Sequence, residues 1–140
     1  MEKVLLSENI NVLCLPAQKF PDTIQDTHHQ LREMMPMHPQ RRFFGLSQSR
    51  PDGTIGYNAA AEQLDPTEAD ILGLHEYTIQ EGRYYQITIH NFPEKMNEIA
   101  DAFQEILKQP DIDPSGICVE WYVNDRDVQC MVRRIEKTQS

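Results

Sequence analysis

Residues 82 to 109 read GRYYQITIHNFPEKMNEIADAFQEILKQ, and their hydrophobic period changes half-way. The first part, within 75 to 91 (HEYTIQEGRYYQITIHN), is rich in β-branched and aromatic residues and reads as two strands around Gln80-Glu81-Gly82. From Pro93 onward Met96, Ile99, Ala100, Phe103, Ile106 and Leu107 recur at helical spacing, which predicts an amphipathic helix over 93–109. Pro93 suits a first helical turn and Glu94 the positive end of the helix dipole, while Pro110 ends the run. Two more strand-like stretches follow, GICVEWYVN (116–124) and VQCMVRRI (128–135), with Asp125-Arg126-Asp127 as the turn between them. This part of the chain is therefore strand, helix, strand, strand.

The preceding part repeats that order. Residues 9–20 (NINVLCLPAQKF) read as a strand with Val12, Cys14 and Leu5 as inward candidates. Asp22 opens a helix with Gln25 as its capping-box partner, and Ile24, His28, Leu31 and Met35 form its apolar side until Pro36 and Pro39. Strands at 41–49 and 54–63 flank the turn Pro51-Asp52-Gly53. Residues 64–73 form the connection, with a short helical turn begun by Asp65-Pro66. The expectation is one domain over 1–140, with halves at 1–63 and 74–136. Its fold class is α+β: two pseudo-symmetric β-α-β-β halves forming one curved antiparallel sheet with two main helices on one face. Such a sheet would hold about eight strands at most.

Composition narrows the function. With 140 residues, 39% hydrophobic and 25% charged, the chain can bury one good core. No apolar run is long enough to cross a membrane, and Glu2 and Glu8 interrupt the only apolar stretch near the N-terminus, so neither membrane association nor export is expected and a cytoplasmic location is. A net charge of −9 disfavours direct nucleic-acid binding; the basic pairs Arg41-Arg42 and Arg133-Arg134 read as strand-end charges. Cys14, Cys118 and Cys130 lie in apolar runs without metal-ligand spacing, and the histidines are scattered apart from the adjacent His28 and His29. No metal or cofactor is expected. The acidic run Asp65, Glu68, Asp70 reads as a solvated loop, Met34, Met35 and Met37 as core and loop packing, and the terminal EKTQS as frayed.

The candidate chemistry lies in VEWY, residues 119–122. Alternation puts Val119, Trp121 and Val123 on one face, an ordinary core face, and Glu120 and Tyr122 on the other. A carboxylate on a half-buried strand face costs free energy unless it is paired. The bland reading is a solvated or arginine-paired glutamate. The sharper one is a ligand anion among aromatic rings, whose faces attract cations by about 0.5–2 kcal/mol each. Tyr57, Tyr84, Tyr85, Trp121 and Tyr122 supply rings, each with the ordinary alternative of core or sheet-surface packing. Glu62, Glu76 and Glu81 are candidate second carboxylates for a hydrolase.

Four stretches in this order resemble the GyrI-like small-molecule-binding domain, also called the AraC-type effector-binding domain: LPAQKFPDTIQDTHHQLREMM (15–35), PDGTIGYN (51–58), IQEGRYYQITIHNFPEKMNEIADAFQEIL (79–107) and VEWYVNDRDVQCMVRRI (119–135). Val119 departs from the phenylalanine common at its position, and a proline frequent near the last strand is missing. The resemblance implies capture of an amphipathic organic molecule, cationic or aromatic, in a cleft between the halves, with a carboxylate as a recurring ligand group. On this sequence it implies Glu120, Tyr122, Tyr57, Tyr85 and Trp121 as ligand-binding residues, favouring Tyr85 over Tyr84. The expected partner is a small molecule. Two alternatives stay open: a small-molecule hydrolase with Glu120 as general acid or base, and a module acting on a separate protein partner such as a topoisomerase or a transcription regulator.

Overall fold

The structure is a computed structural model that describes residues 1–135; the terminal EKTQS lies outside the described residues. It is α+β, with an eight-stranded antiparallel sheet and three helices, two of them long. The strands are β1 (Glu2–Leu6), β2 (Ile10–Pro16), β3 (Phe43–Ser49), β4 (Ile55–Glu62), β5 (His75–Ile79), β6 (Gly82–His90), β7 (Cys118–Tyr122) and β8 (Asp127–Arg133). The helices are α1 (Ile24–Met34), α2 (Glu68–Leu72) and α3 (Met96–Leu107), with a 3-10 turn at Phe92–Glu94. None of the helices among the described residues is long and apolar enough to cross a membrane. The chain divides into two compact units. One comprises Met1–Asn9 and the chain from Gln80 onward; the other is Ile10–Ile79.

In the first unit the strand order is β1-β6-β8-β7. β1 pairs with β6 (Lys3 opposite Tyr85), β6 with β8 (Ile87 opposite Cys130) and β8 with β7 (Cys130 opposite Glu120). α3 covers one face through Ile99, Ala102, Phe103 and Ile106, which pack on Tyr85, Ile89, Val128, Cys130 and Val132. The stripe is narrower than the spacing predicts, since Met96, Ala100 and Leu107 are exposed. The helix also starts later than expected: Pro93 and Glu94 form the 3-10 turn, and α3 begins at Met96.

In the second unit the order is β3-β4-β2-β5. α1 lies on the face of Leu13, Ala59 and Ala61, with Leu31 and Met35 in the same cluster. The expected capping box does not form. The helix starts at Ile24 after Thr23, whose hydroxyl bonds back to Lys19, and the cap has no side-chain hydrogen bond. Of the three methionines near its end, Met35 is buried and Met34 partly so, but Met37 is fully exposed.

One other expectation is overturned. Leu5 is not inward: it sits on β1, a strand that the residue pattern does not mark, and is 72% exposed. The face of β7 packed toward α3 is that of Cys118 and Tyr122, not that of Val119 and Trp121. Val119 is buried nonetheless, so both faces of β7 hold buried side chains. The same holds in the second unit, where Val12, Cys14, Phe44 and Ala60 are buried on the face away from α1. Cys14 and Cys130 are buried free thiols and Cys118 is a half-buried one.

Candidate functional site

Glu120 is central to β7 and only 8% exposed. Residues two apart on a strand share a face, and here the sequence spacing becomes a contact: the Tyr122 hydroxyl donates to Glu120 Oε1 at 2.5 Å. The ring of Tyr122 meets that of Phe92 at 5.3 Å between centroids, tilted by 59°. Phe92 opens the 3-10 turn before α3, and Asn91 ahead of it takes a left-handed conformation (φ 58°), a backbone state asparagine tolerates better than most residues. Directly across the ladder from Glu120 lies Cys130. Burial, and then the negative charge of Glu120 and the neighbouring Cys118, push the Cys130 thiol up to about 12. The result is a buried carboxylate, a phenol bound to it, a second ring against the phenol, and apolar packing around them.

Tyr57 occupies a comparable place in the second unit. It is 2% exposed, and its hydroxyl lies 2.7 Å from Nε2 of His28 on α1. The His28 ring stands edge-on at 5.7 Å and the Phe20 ring lies tilted at 6.0 Å. Burial, and then the charge of Arg32, lower the His28 pKa to about 4, so this imidazole is neutral at physiological pH. Phe20 and Phe92 hold equivalent positions. Each begins a Phe-Pro-acid triplet before a long helix, Phe20-Pro21-Asp22 and Phe92-Pro93-Glu94, and each packs on a strand tyrosine. That short repeat was the signal by which Phe20 and Phe92 could have been found from sequence; His28 left no comparable mark.

The remaining site residues lie elsewhere. Trp121 is on the face of β7 opposite to Glu120, as alternation requires. Tyr85 shares the α3-facing side of the sheet, but its ladder row runs through Val132 to Cys118, whereas Glu120 is in the row of Cys130 and Ile87. Its hydroxyl donates to Asp111 Oδ1 at 2.5 Å and the Arg134 guanidinium lies over its ring at 4.8 Å. Tyr84 faces the other side and donates to the Gln80 carbonyl. Within the first unit, then, the structure brings together Glu120 and Tyr122 and adds Phe92.

The basic pairs are engaged in ion pairs: Arg41 with Glu68, Arg42 with Glu62, Arg133 with Asp113 and Arg134 with Asp111. Glu68 therefore departs from the solvated acidic run expected for it. Its hydrogen bonds from Arg41 hold its pKa at about 2, against a smaller opposing effect of desolvation. Glu62, a candidate second carboxylate, is likewise held below its ordinary range, first by its hydrogen bond from Arg42. Among the described residues no three His, Cys, Asp or Glu side chains converge as metal ligands.

Solved structures that share this fold include the following two. An integron cassette protein from the mobile metagenome of Vibrio cholerae, VCH_CASS2, superposes with a TM-score of 0.71 at 12% identity, over 95% of this chain and 94% of that one. SAV2435, solved bound to tetraphenylphosphonium, gives a TM-score of 0.60 at 14% identity, over 94% of this chain and 93% of that one. At these identities the likeness is one of fold. No protein family and no curated protein matches the sequence.

Proposed function

We propose that this chain is a GyrI-like small-molecule-binding protein that captures a lipophilic organic cation, with Glu120 as the anion of the site. The observation that carries the reading is the burial of Glu120 beside the rings of Tyr122 and Phe92. A carboxylate kept from water gains most from a partner that brings charge without needing to be hydrated. A large delocalised cation does so, and its apolar surface suits ring faces. The fold shared with a protein bound to tetraphenylphosphonium supports the same chemistry. Tyr122 has two tasks in this reading: it donates to Glu120 and it offers its ring to the ligand.

The test is a thermal-shift and calorimetric titration with tetraphenylphosphonium, its neutral isostere tetraphenylmethane derivatised for solubility, and tetraphenylborate. Ligand at one hundred times the dissociation constant should stabilise the protein by about 2.7 kcal/mol. The expected result is stabilisation by the cation alone, lost in Glu120→Gln. Equal stabilisation by cation and anion, or an unchanged response in Glu120→Gln, removes Glu120 from the site.

A further inference from the structure

Arg83 and Arg134 stand directly across from each other at the end of the β6–β8 ladder. The Arg134 amide donates to the Arg83 carbonyl at 2.7 Å, one step beyond the pair of Tyr84 and Arg133. Residues paired in this way project from the same face of a sheet, and Arg83 shares that face with Tyr85, two residues on. Like charges directly opposite each other are destabilising. One carboxylate attends this pair. Asp111 accepts the Arg134 Nε–H on Oδ2 and the Tyr85 hydroxyl on Oδ1, so both of its oxygens are engaged. Arg134 meets Asp111 through Nε, which leaves its terminal nitrogens unspent on that carboxylate. Among the described residues Arg83 makes no ion pair. Its Nη2 donates to the Ile135 carbonyl at 2.7 Å, its Nε is shut from water without a partner, and its Nη1 is neither bonded nor closed off. Lys3, exposed and opposite Tyr85 on β1, adds a positive charge to the same face. In a chain of net charge −9 this corner is therefore positive. It is also apolar at its rim: Leu5, opposite Arg83 on β1, is 72% exposed, and Ile135 is 45% exposed.

We propose that Arg83 and Arg134 form a second binding site, which takes the carboxylate of an amphipathic organic acid and sets Leu5 and Ile135 against its apolar part. A guanidinium presents its N–H groups as a planar fork that matches a carboxylate, and two guanidiniums on one face can share one such anion. The bound anion would also relieve the repulsion that the cross-strand pair carries in the free protein. The apolar rim selects among anions. A hydrated inorganic ion gains nothing from Leu5 and Ile135, whereas an acid with a hydrocarbon tail removes apolar surface from water there. All of these residues belong to the unit of Met1–Asn9 and the chain from Gln80 onward. Arg134 lies four residues, about 13 Å of extended chain, from Cys130, the residue across from Glu120. The site is thus separate from Glu120, opposite to it in charge, and independent of the cation reading.

The experiment is calorimetry and amide chemical-shift mapping on the full chain, with octanoate, octylammonium, acetate and inorganic phosphate as probes. The proteins are wild type, Arg83→Gln, Arg83→Lys and Leu5→Ser. Octanoate should bind wild type, and its largest shifts should fall on Leu5, Arg83, Arg134 and Ile135. A hydrogen bond to a charged group corresponds to a loss of about ten- to hundredfold in affinity, the effect expected of Arg83→Gln. Arg83→Lys, which keeps the charge without the fork, should recover part of it. Acetate should bind at least about tenfold more weakly than octanoate, and Leu5→Ser should narrow that gap by weakening octanoate alone. Arg83→Gln breaks no ion pair among the described residues and should melt as wild type does; if it does not fold, the wild-type shift map still decides. Absence of octanoate binding, shifts centred on Glu120 and Tyr122, or unchanged affinity in a folded Arg83→Gln would overturn the proposal. So would octylammonium or phosphate binding as tightly as octanoate, the first by showing that the tail binds without the arginines, the second by showing that the apolar rim selects nothing.

Discussion

Arg41 and Glu68 are the most deeply buried ion pair described, with both side chains largely out of water and two nitrogens of the guanidinium on the two carboxylate oxygens. A buried pair is poor evidence of net stability, but breaking one side of it is costly because the other charge stays behind. Glu68→Gln should destabilise the protein by about 3 kcal/mol at neutral pH, measured by urea unfolding. The pH dependence follows in sign. The folded-state pKa of Glu68 is lowered to about 2 from its ordinary value. Its stabilisation is thus full above the ordinary glutamate range, near pH 4.3, and fades as pH falls toward 2. Wild type and Glu68→Gln should differ by less at pH 2 than at pH 7, and a gap that does not shrink would show that the pair does not act through charge. Glu120 accepts a hydrogen bond from a neutral donor, the phenol of Tyr122. Tyr122→Phe removes that donor and leaves the carboxylate buried, for a loss of about 1–3 kcal/mol in the same assay. An unchanged unfolding midpoint would mean that the bond contributes nothing in the free protein.

At the scale of elements, α3 is the one that periodicity described best, because burial against a sheet needs a stripe and the stripe is written in the sequence. What periodicity could not fix was its start, where Phe92-Pro93-Glu94 turns as a 3-10 segment and hands Phe92 to Tyr122. Ile106 is fully buried at the centre of that stripe. Ile106→Ala should cost about 2–5 kcal/mol, by lost burial and the cavity left behind, in equilibrium unfolding; a cost under about 1 kcal/mol would mean the cluster collapses into the space. The VEWY pattern was legible for a similar reason, since the i, i+2 relation of Glu120 and Tyr122 is a local property of any strand. Which face would meet α3 was not legible. Both faces of β7 carry buried residues, so alternation of polar and apolar side chains could not name the helix side. The contacts of Phe20, His28 and Tyr57 were hidden because they join residues 29 and more positions apart. Gly82 shows the same limit: it begins β6 at φ 138°, and a Cβ there would stand 2.9 Å from the Arg133 guanidinium, a partner fifty-one residues along the chain. That clash comes with a backbone state that side chains disfavour.

At the scale of the whole molecule, chain order and compact unit part company at the N-terminus. Residues Met1–Asn9 belong with the chain from Gln80 onward, because β1 pairs with β6 over Glu2 to Leu6. Most of β1 is exposed, so backbone pairing, rather than burial of its side chains, accounts for its place. This is also why its residues gave no sign of a strand: without a buried face there is no alternation to read, and its partner lies some eighty residues away. Removing residues 1–9 should therefore act through the edge of β6 and hardly through the core. Along an antiparallel ladder alternate residues of a strand bond to a given neighbour, so alternate amides of β6 would lose their acceptors and turn to water. The remaining β6 amides bond toward β8 and keep their partners. Hydrogen exchange followed residue by residue should show this as a saw-tooth: fast exchange at every second position between Gly82 and Gln86, slow exchange at the others, and little change in β8. Uniform loss of protection across β6 and β8 would instead mean that β1 is needed to hold the whole four-stranded unit together. No change at all would mean that the pairing contributes nothing to protection in solution.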